Sequence, residues 1–70
     1  MTPEDFGAAI RAARKAQGLR QDQLAGAAGV GVRFIVDLEG GKPTSHIGKA
    51  LAVATALGLA VTIAQPGASR

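Results

Sequence analysis

Apolar residues recur three and four positions apart through most of this chain, and glycine or proline interrupts the recurrence at short intervals. Phe6, Ala9, Ile10 and Ala13 share one face of a helix predicted over about residues 3–17, with Arg11, Lys15 and Gln17 elsewhere on its surface. Thr2-Pro3-Glu4-Asp5 supplies its start: a hydroxyl N-cap, a proline at the first helical position, and an acid facing the positive end of the helix dipole. Gly18 is placed to end it, with Leu19 folding back onto it. A short second helix over 21–28 sets Leu24, Ala25 and Ala28 on one face and stops at Gly29, and a third over 32–38 does the same with Ile35 and Leu38. Gly40-Gly41-Lys42-Pro43 breaks any helix. Thr44 or Ser45 then caps a fourth, which carries Ile47, Ala50, Leu51, Ala54 and Leu57 and closes at Gly58.

The period changes after Gly58. Leu59, Val61 and Ile63 alternate with Ala60, Thr62 and Ala64, which is a strand pattern, and residues 65–70 form a polar tail. A lone strand leaves its backbone N–H and C=O groups without partners, and an apolar edge on a monomer invites aggregation. Pairing with the same strand of a second copy about a two-fold axis resolves both problems, which makes Leu59, Val61 and Ile63 the expected dimer interface. The alternative is a C-terminal extended segment packed on its own helices.

Composition points the same way. The chain has 70 residues, 47% of them hydrophobic, yet alanine accounts for 15 and only Phe6 and Phe34 are aromatic. Such a core buries little area at a size where a single core is already marginal, so a partner subunit is expected. The absence of cysteine removes disulfides and thiolate chemistry and fits a reducing compartment. His46 alone cannot build a multi-histidine metal site. No apolar run approaches the roughly 18 residues of a membrane span, and the first residues lack a basic stretch followed by an apolar one, so a small soluble cytoplasmic domain is expected. An enzyme fits poorly, because the carboxylates of Asp22, Asp37 and Glu39 fall on short helices of a domain too small to enclose a pocket. No catalytic residue, cofactor or metal is expected. Lys+Arg number 8 against 5 Asp+Glu, a modest net charge of +3 that is compatible with a polyanion and does not prove one.

The second and third helices carry the functional signal. Two short helices joined by a tight glycine-containing turn describe a helix-turn-helix, and residues 19–39 meet that description: Ala25 permits close approach, Gly29 turns the chain, Val30 plugs the corner, and Ile35 and Leu38 lock the helices together. In this geometry the second helix of the motif enters the DNA major groove. The pattern G-L-x-Q-x-x-L-A-x-x-A-G-V, followed by I-x-x-L-E-x-G-K-P, resembles the XRE/Cro/C1-type helix-turn-helix family, from about Phe6 to Ile63. Arg33-Phe34-Ile35, Gly41-Lys42-Pro43-Thr44 and the terminal Gly-Leu-Ala-Val-Thr-Ile run are most similar to its HipB-like antitoxins.

The resemblance implies a mainly α, compact four-helix, lambda-repressor-like helix-turn-helix domain over residues 1–64, with the C-terminal strand pairing across a homodimer and 65–70 as a flexible tail. It also implies a DNA-binding set. Gln21 opens the first motif helix and holds a phosphate. Gly31, Val32 and Arg33 open the recognition helix: Arg33 matches the O6/N7 edge of guanine, and Val32 meets a thymine methyl. Asp37, a turn later, is placed to accept from a cytosine amino group or is simply solvated, and Lys42 and Thr44 grip phosphate. Arg14 and Glu39 match a pair that bridges the first helix to the end of the recognition helix. Phe34 is either a base-stacking aromatic or part of the core or interface. Arg20 and Gly31 depart from the family, which commonly has Thr or Asn at the first and Ser or Thr at the second. These departures put the helix cap at Arg20 and one backbone contact at Gly31 in doubt.

Three functions remain open at this point. The first is a dimeric repressor that reads an inverted repeat in double-stranded DNA and, as a HipB-like antitoxin, neutralises a HipA-type kinase toxin and autoregulates its promoter. The second is a stand-alone phage-type repressor with the same DNA chemistry. The third is a protein-interaction module with a vestigial helix-turn-helix.

Overall fold

A computed structural model describes residues 1–63, which form four helices: α1 (Pro3–Ala16), α2 (Gln21–Ala28), α3 (Val32–Glu39) and α4 (Ile47–Ala56). Helix α1 begins as its sequence requires. The Thr2 hydroxyl accepts from the Asp5 N–H at 3.0 Å and the Asp5 carboxylate accepts from the Thr2 N–H at 3.2 Å, a reciprocal capping box with proline at the next position. Helix α2 starts with only half of that device: the Arg20 side chain has no acceptor to offer, but Gln23 Oε1 reaches back to the Arg20 N–H at 2.8 Å. Helix α4 starts differently from expectation. His46 is its N-cap without a side-chain cap bond, and the Thr44 hydroxyl instead accepts from the His46 N–H at 3.0 Å in the preceding turn.

Helix α2 packs on α3 and α4, and α1 packs on α3. Ile10, Leu24, Ile35 and Val53 are the large side chains at the centre, with Ala25, Leu38, Ala50, Ala54 and Leu57 around them. Phe6, Leu19, Val30 and Phe34 close the edges, so Leu19 folds back and Val30 plugs the corner. On α1, Ala9 is exposed and Gly7 is buried in its place. Gly7 is the point of closest approach to α3: a Cβ there would stand 2.2 Å from the Leu38 carbonyl oxygen and 3.1 Å from that of Glu39. On α4, Ala50, Val53, Ala54 and Leu57 form the buried stripe, and Ile47 and Leu51 flank it, exposed along a groove they share with Phe6 and Val61.

Among the described residues there is no β-strand. Residues 59–63 leave α4 without regular structure, and the Leu59 N–H is engaged with the Ala54 carbonyl at 2.9 Å, closing the helix. The strand expected over 59–64 is therefore not formed over 59–63, the part of it that is described. A ladder needs a second row of free backbone groups, and the regular elements within 1–63 are all helical. Leu59, Val61 and Ile63 are exposed, Ile63 at 95%, and Val61 borders an apolar groove with Phe6 and Leu51. Ala64 and the tail 65–70 lie outside the described residues.

Candidate nucleic-acid interface

Gly29 ends α2 with φ 73°, and the next N–H, of Val30, returns to the Ala25 carbonyl at 3.0 Å. A left-handed residue there reverses the chain in two residues and launches α3 from Gly31, whose backbone is extended. The result is the tight turn of a helix-turn-helix. Nothing lies within 4 Å of where a Gly31 side chain would begin.

The inner and outer faces of α3 have different chemistry. Ile35 and Leu38 point into the core, and the opposite face carries Val32, Arg33, Val36 and Asp37. The Arg33 side chain is 83% exposed, with Nε 3.3 Å from Asp37 Oδ1 one turn on. Lys42 arrives from the following loop: its N–H returns to the Asp37 carbonyl at 3.0 Å, and its Nζ stands 3.7 Å from Asp37 Oδ2. Asp37 is thus bracketed by two cations. Lys42 and Thr44 line a shallow cleft beside Asp37 and Phe34. The Phe34 ring is half-buried against the core, borders that cleft, and has Lys49 Nζ 5.9 Å from its centroid.

A second ionic cluster lies on the inner side. Arg14 Nε donates to Glu39 Oε2 at 2.6 Å and a terminal nitrogen donates to Oε1 at 3.0 Å, while another donates to the Leu19 carbonyl at 2.8 Å. The fork is bidentate and nearly enclosed. The hydrogen bond to Glu39 holds the guanidinium above its ordinary pKa, so Arg14 stays charged at any working pH. The Gln21 amide nitrogen donates to the same carboxylate at 3.2 Å, which turns this side chain inward and leaves the opening turn of α2 facing outward with Arg20 and Asp22. Arg20 Nε pairs with Asp22 Oδ1 at 3.0 Å in solvent, and its hydrogen bond draws the Asp22 carboxyl below the usual range.

The helix-turn-helix domain family matches residues 5–63 of the chain. This chain belongs to that family. A helix-turn-helix protein of Sinorhizobium fredii, named an uncharacterized HTH-type transcriptional regulator y4mF, is 61% identical over 69 residues, which cover 99% of this chain and 91% of that protein.

Of the sequence-derived interface residues, Gly31, Val32, Arg33, Asp37 and Lys42 are assembled on or beside one face of the helix-turn-helix, and Thr44 lies on the adjoining loop. Gln21 borders that face from α2, together with Arg11 from α1, across a depression that also includes Val36. Sequence reasoning passed over Val36 and treated Arg11 as general surface. The spacing of Val36 from Val32, one helical turn, was the available signal. Among the described residues no three metal-ligating side chains converge, and no helix is long and apolar enough to cross a membrane.

Proposed function

We propose that this helix-turn-helix protein is a dimeric, sequence-specific DNA-binding repressor of transcription. One observation carries the reading: the outward face of α3 presents an open N-terminus at Gly31 and a largely exposed Arg33, with Lys42 held beside Asp37 at the other end of the same face. A guanidinium at the start of a recognition helix reads guanine, the lysine and Thr44 hold the backbone, and α2 offers a phosphate the free backbone N–H groups of its opening turn at Gln21, whose side-chain amide is held by Glu39. Asp37 keeps the two cations in register until DNA replaces it. Two copies would set their α3 helices about 34 Å apart on an inverted repeat.

The dimer is proposed through Leu59, Val61 and Ile63, whose exposed alternating side chains have no strand beside them among the described residues. Within the family, the HipB-like antitoxin is the favoured reading, with a HipA-type kinase toxin as second partner and a cytoplasmic, nucleoid-associated location. Its support is the likeness of the 33–44 stretch and of the C-terminal run.

A fluorescence-anisotropy titration tests the DNA reading, using the protein's own promoter fragment and a scrambled duplex at two salt concentrations. Tighter binding to the promoter that weakens steeply with salt is expected, because phosphate contacts release counterions. Equal, weak binding to both duplexes contradicts it and favours a protein-interaction module. Sedimentation of Val61→Pro tests the dimer separately, since proline removes a ladder donor. A dimer that survives the substitution would be held by another surface.

A further inference from the structure

Apart from the two valines of α3, every exposed large apolar side chain among the described residues lies in or just beyond two grooves that meet at Met1, Phe6 and Val61. The first groove runs between the start of α1 and the first turns of α4, with Ile47, 70% exposed, and Leu51 along its wall. The second continues from it past Leu59. Ile63 projects two residues beyond Val61 and is 95% exposed. Polar side chains enter the first groove only at Thr2, Lys42 and Thr44, so no carboxylate lines it and its complement is an apolar side chain.

The surface exposed by Met1, Ile47, Leu51, Leu59, Val61 and Ile63 is comparable to the ~800 Å² that each partner brings to a stable interface. It is also larger than a monomer ordinarily leaves bare. The chain carries both halves of a joint. It has the groove, and at the edge of that groove it has an isoleucine that its own groove does not take up, since Ile63 stays exposed while Val61 lines the wall. Two copies related by a two-fold axis use both halves twice and leave neither bare, which a partner of different sequence does not. We infer that the occupant of the groove is Ile63 of a second copy, so that each chain seats this side chain between Phe6, Ile47 and Leu51 of the other. The inference rests on the dimer reading above and deepens it, because it adds α4 and the start of α1 to an interface otherwise confined to residues 59–63.

The chain has no cysteine, so single introduced thiols report on the contact directly. Mixed under mild oxidation, chains carrying Ile63→Cys and chains carrying Leu51→Cys should form a mixed disulfide in high yield. Ile63→Cys mixed with Thr55→Cys, which is exposed on α4 outside the groove, should not. In sedimentation equilibrium, Ile47→Ala and Ile63→Ala should each raise the dimer dissociation constant at least about 30-fold, since each truncation removes buried apolar surface twice in a two-fold interface. Both positions are exposed, so circular dichroism should show the fold intact. A mixed disulfide no more abundant than the Thr55→Cys control overturns the inference. So does a chain carrying both Ile63→Cys and Leu51→Cys that closes on itself as a monomer, because Ile63 then fills its own groove. A dimer that Val61→Pro abolishes and both alanine variants leave at wild-type strength overturns it too, with the dimer reading still standing. A wild type that stays monomeric at every concentration removes the dimer reading and this inference together.

Discussion

Helix α3 supplies the carboxylate of two arginine–carboxylate pairs of the same chemistry and opposite circumstance, one reaching Arg14 on α1 and one within α3 itself. Arg14 and Glu39 meet through a bidentate fork at 2.6 and 3.0 Å with side chains only 11% and 4% exposed, whereas Arg33 and Asp37 meet through one contact at 3.3 Å with 83% and 30% exposed. Enclosure makes the first pair structurally important, since removing one partner strands a largely desolvated charge. Exposure makes the second exchangeable, because an isolated surface pair contributes about 0–1 kcal/mol and yields readily to a better partner such as phosphate or guanine. Within one short helix, burial separates the residues that build the scaffold from those available to DNA.

Breaking the inner pair should have the largest effect. Glu39→Ala leaves Arg14 with only the Leu19 carbonyl and removes the acceptor of Gln21, so a stability loss of about 3 kcal/mol is expected in chemical denaturation. A loss below about 1 kcal/mol would place the pair with ordinary surface ion pairs. Gly7→Ala attacks the same junction through sterics. The added methyl meets the Leu38 carbonyl and pushes α1 away from the segment that ends in Glu39, for a loss of about 2 kcal/mol. Thermal melting at the wild-type temperature would contradict this approach of α1 to α3.

Breaking the outer pair should spare the fold. Arg33→Ala is expected to change stability by less than about 0.5 kcal/mol while costing about 1–3 kcal/mol on the specific duplex and relaxing one base preference. Unchanged affinity and selectivity would remove Arg33 from the interface. Lys42→Ala should weaken all duplexes alike and flatten the salt slope by about one, and a loss confined to the specific duplex would contradict its phosphate role.

The smallest expected effect concerns Arg20–Asp22, the third such pair, fully in solvent. The Asp22 carboxyl is held below its ordinary range in the fold, so its contribution is present above the unfolded carboxylate pKa, about 3.9, and is lost as pH falls through the folded value. A slight Tm advantage of wild type over Asp22→Asn at pH 7 should therefore vanish toward about pH 2. An advantage that persists in acid would refute the pairing.

Much of this molecule is legible in its sequence, for identifiable reasons. Helix ends are local events, so Thr2-Pro3, Gly18, Gly29 and Gly58 could be placed without tertiary knowledge. The inward faces of α2 and α3 follow from spacing alone. Gly7 is the clearest case of what was hidden. A mid-helix glycine reads as a weak helical position, and its purpose appears only when α3 is laid against it. Ile47 and Leu51 flank the buried stripe of α4 instead of filling the core as expected, because periodicity records a broad apolar face and not which part of it a neighbour covers. The alternation after Gly58 promised a strand, and a strand is a property of two segments, of which the described residues offer one. At the interface, Arg33 and Asp37 are readable as neighbours one turn apart. The approach of Lys42 to Asp37 depends on how the loop leaves α3 and has no sequence signal.

The most direct test of this separation is an amide chemical-shift titration of the labelled chain with its promoter duplex. The account predicts the largest shifts at residues 20–22, 31–33, 36–37 and 42–44, with Arg14, Glu39 and the body of α4 nearly unmoved. Shifts concentrated on residues 47–57 instead, with residues 31–37 silent, would contradict it.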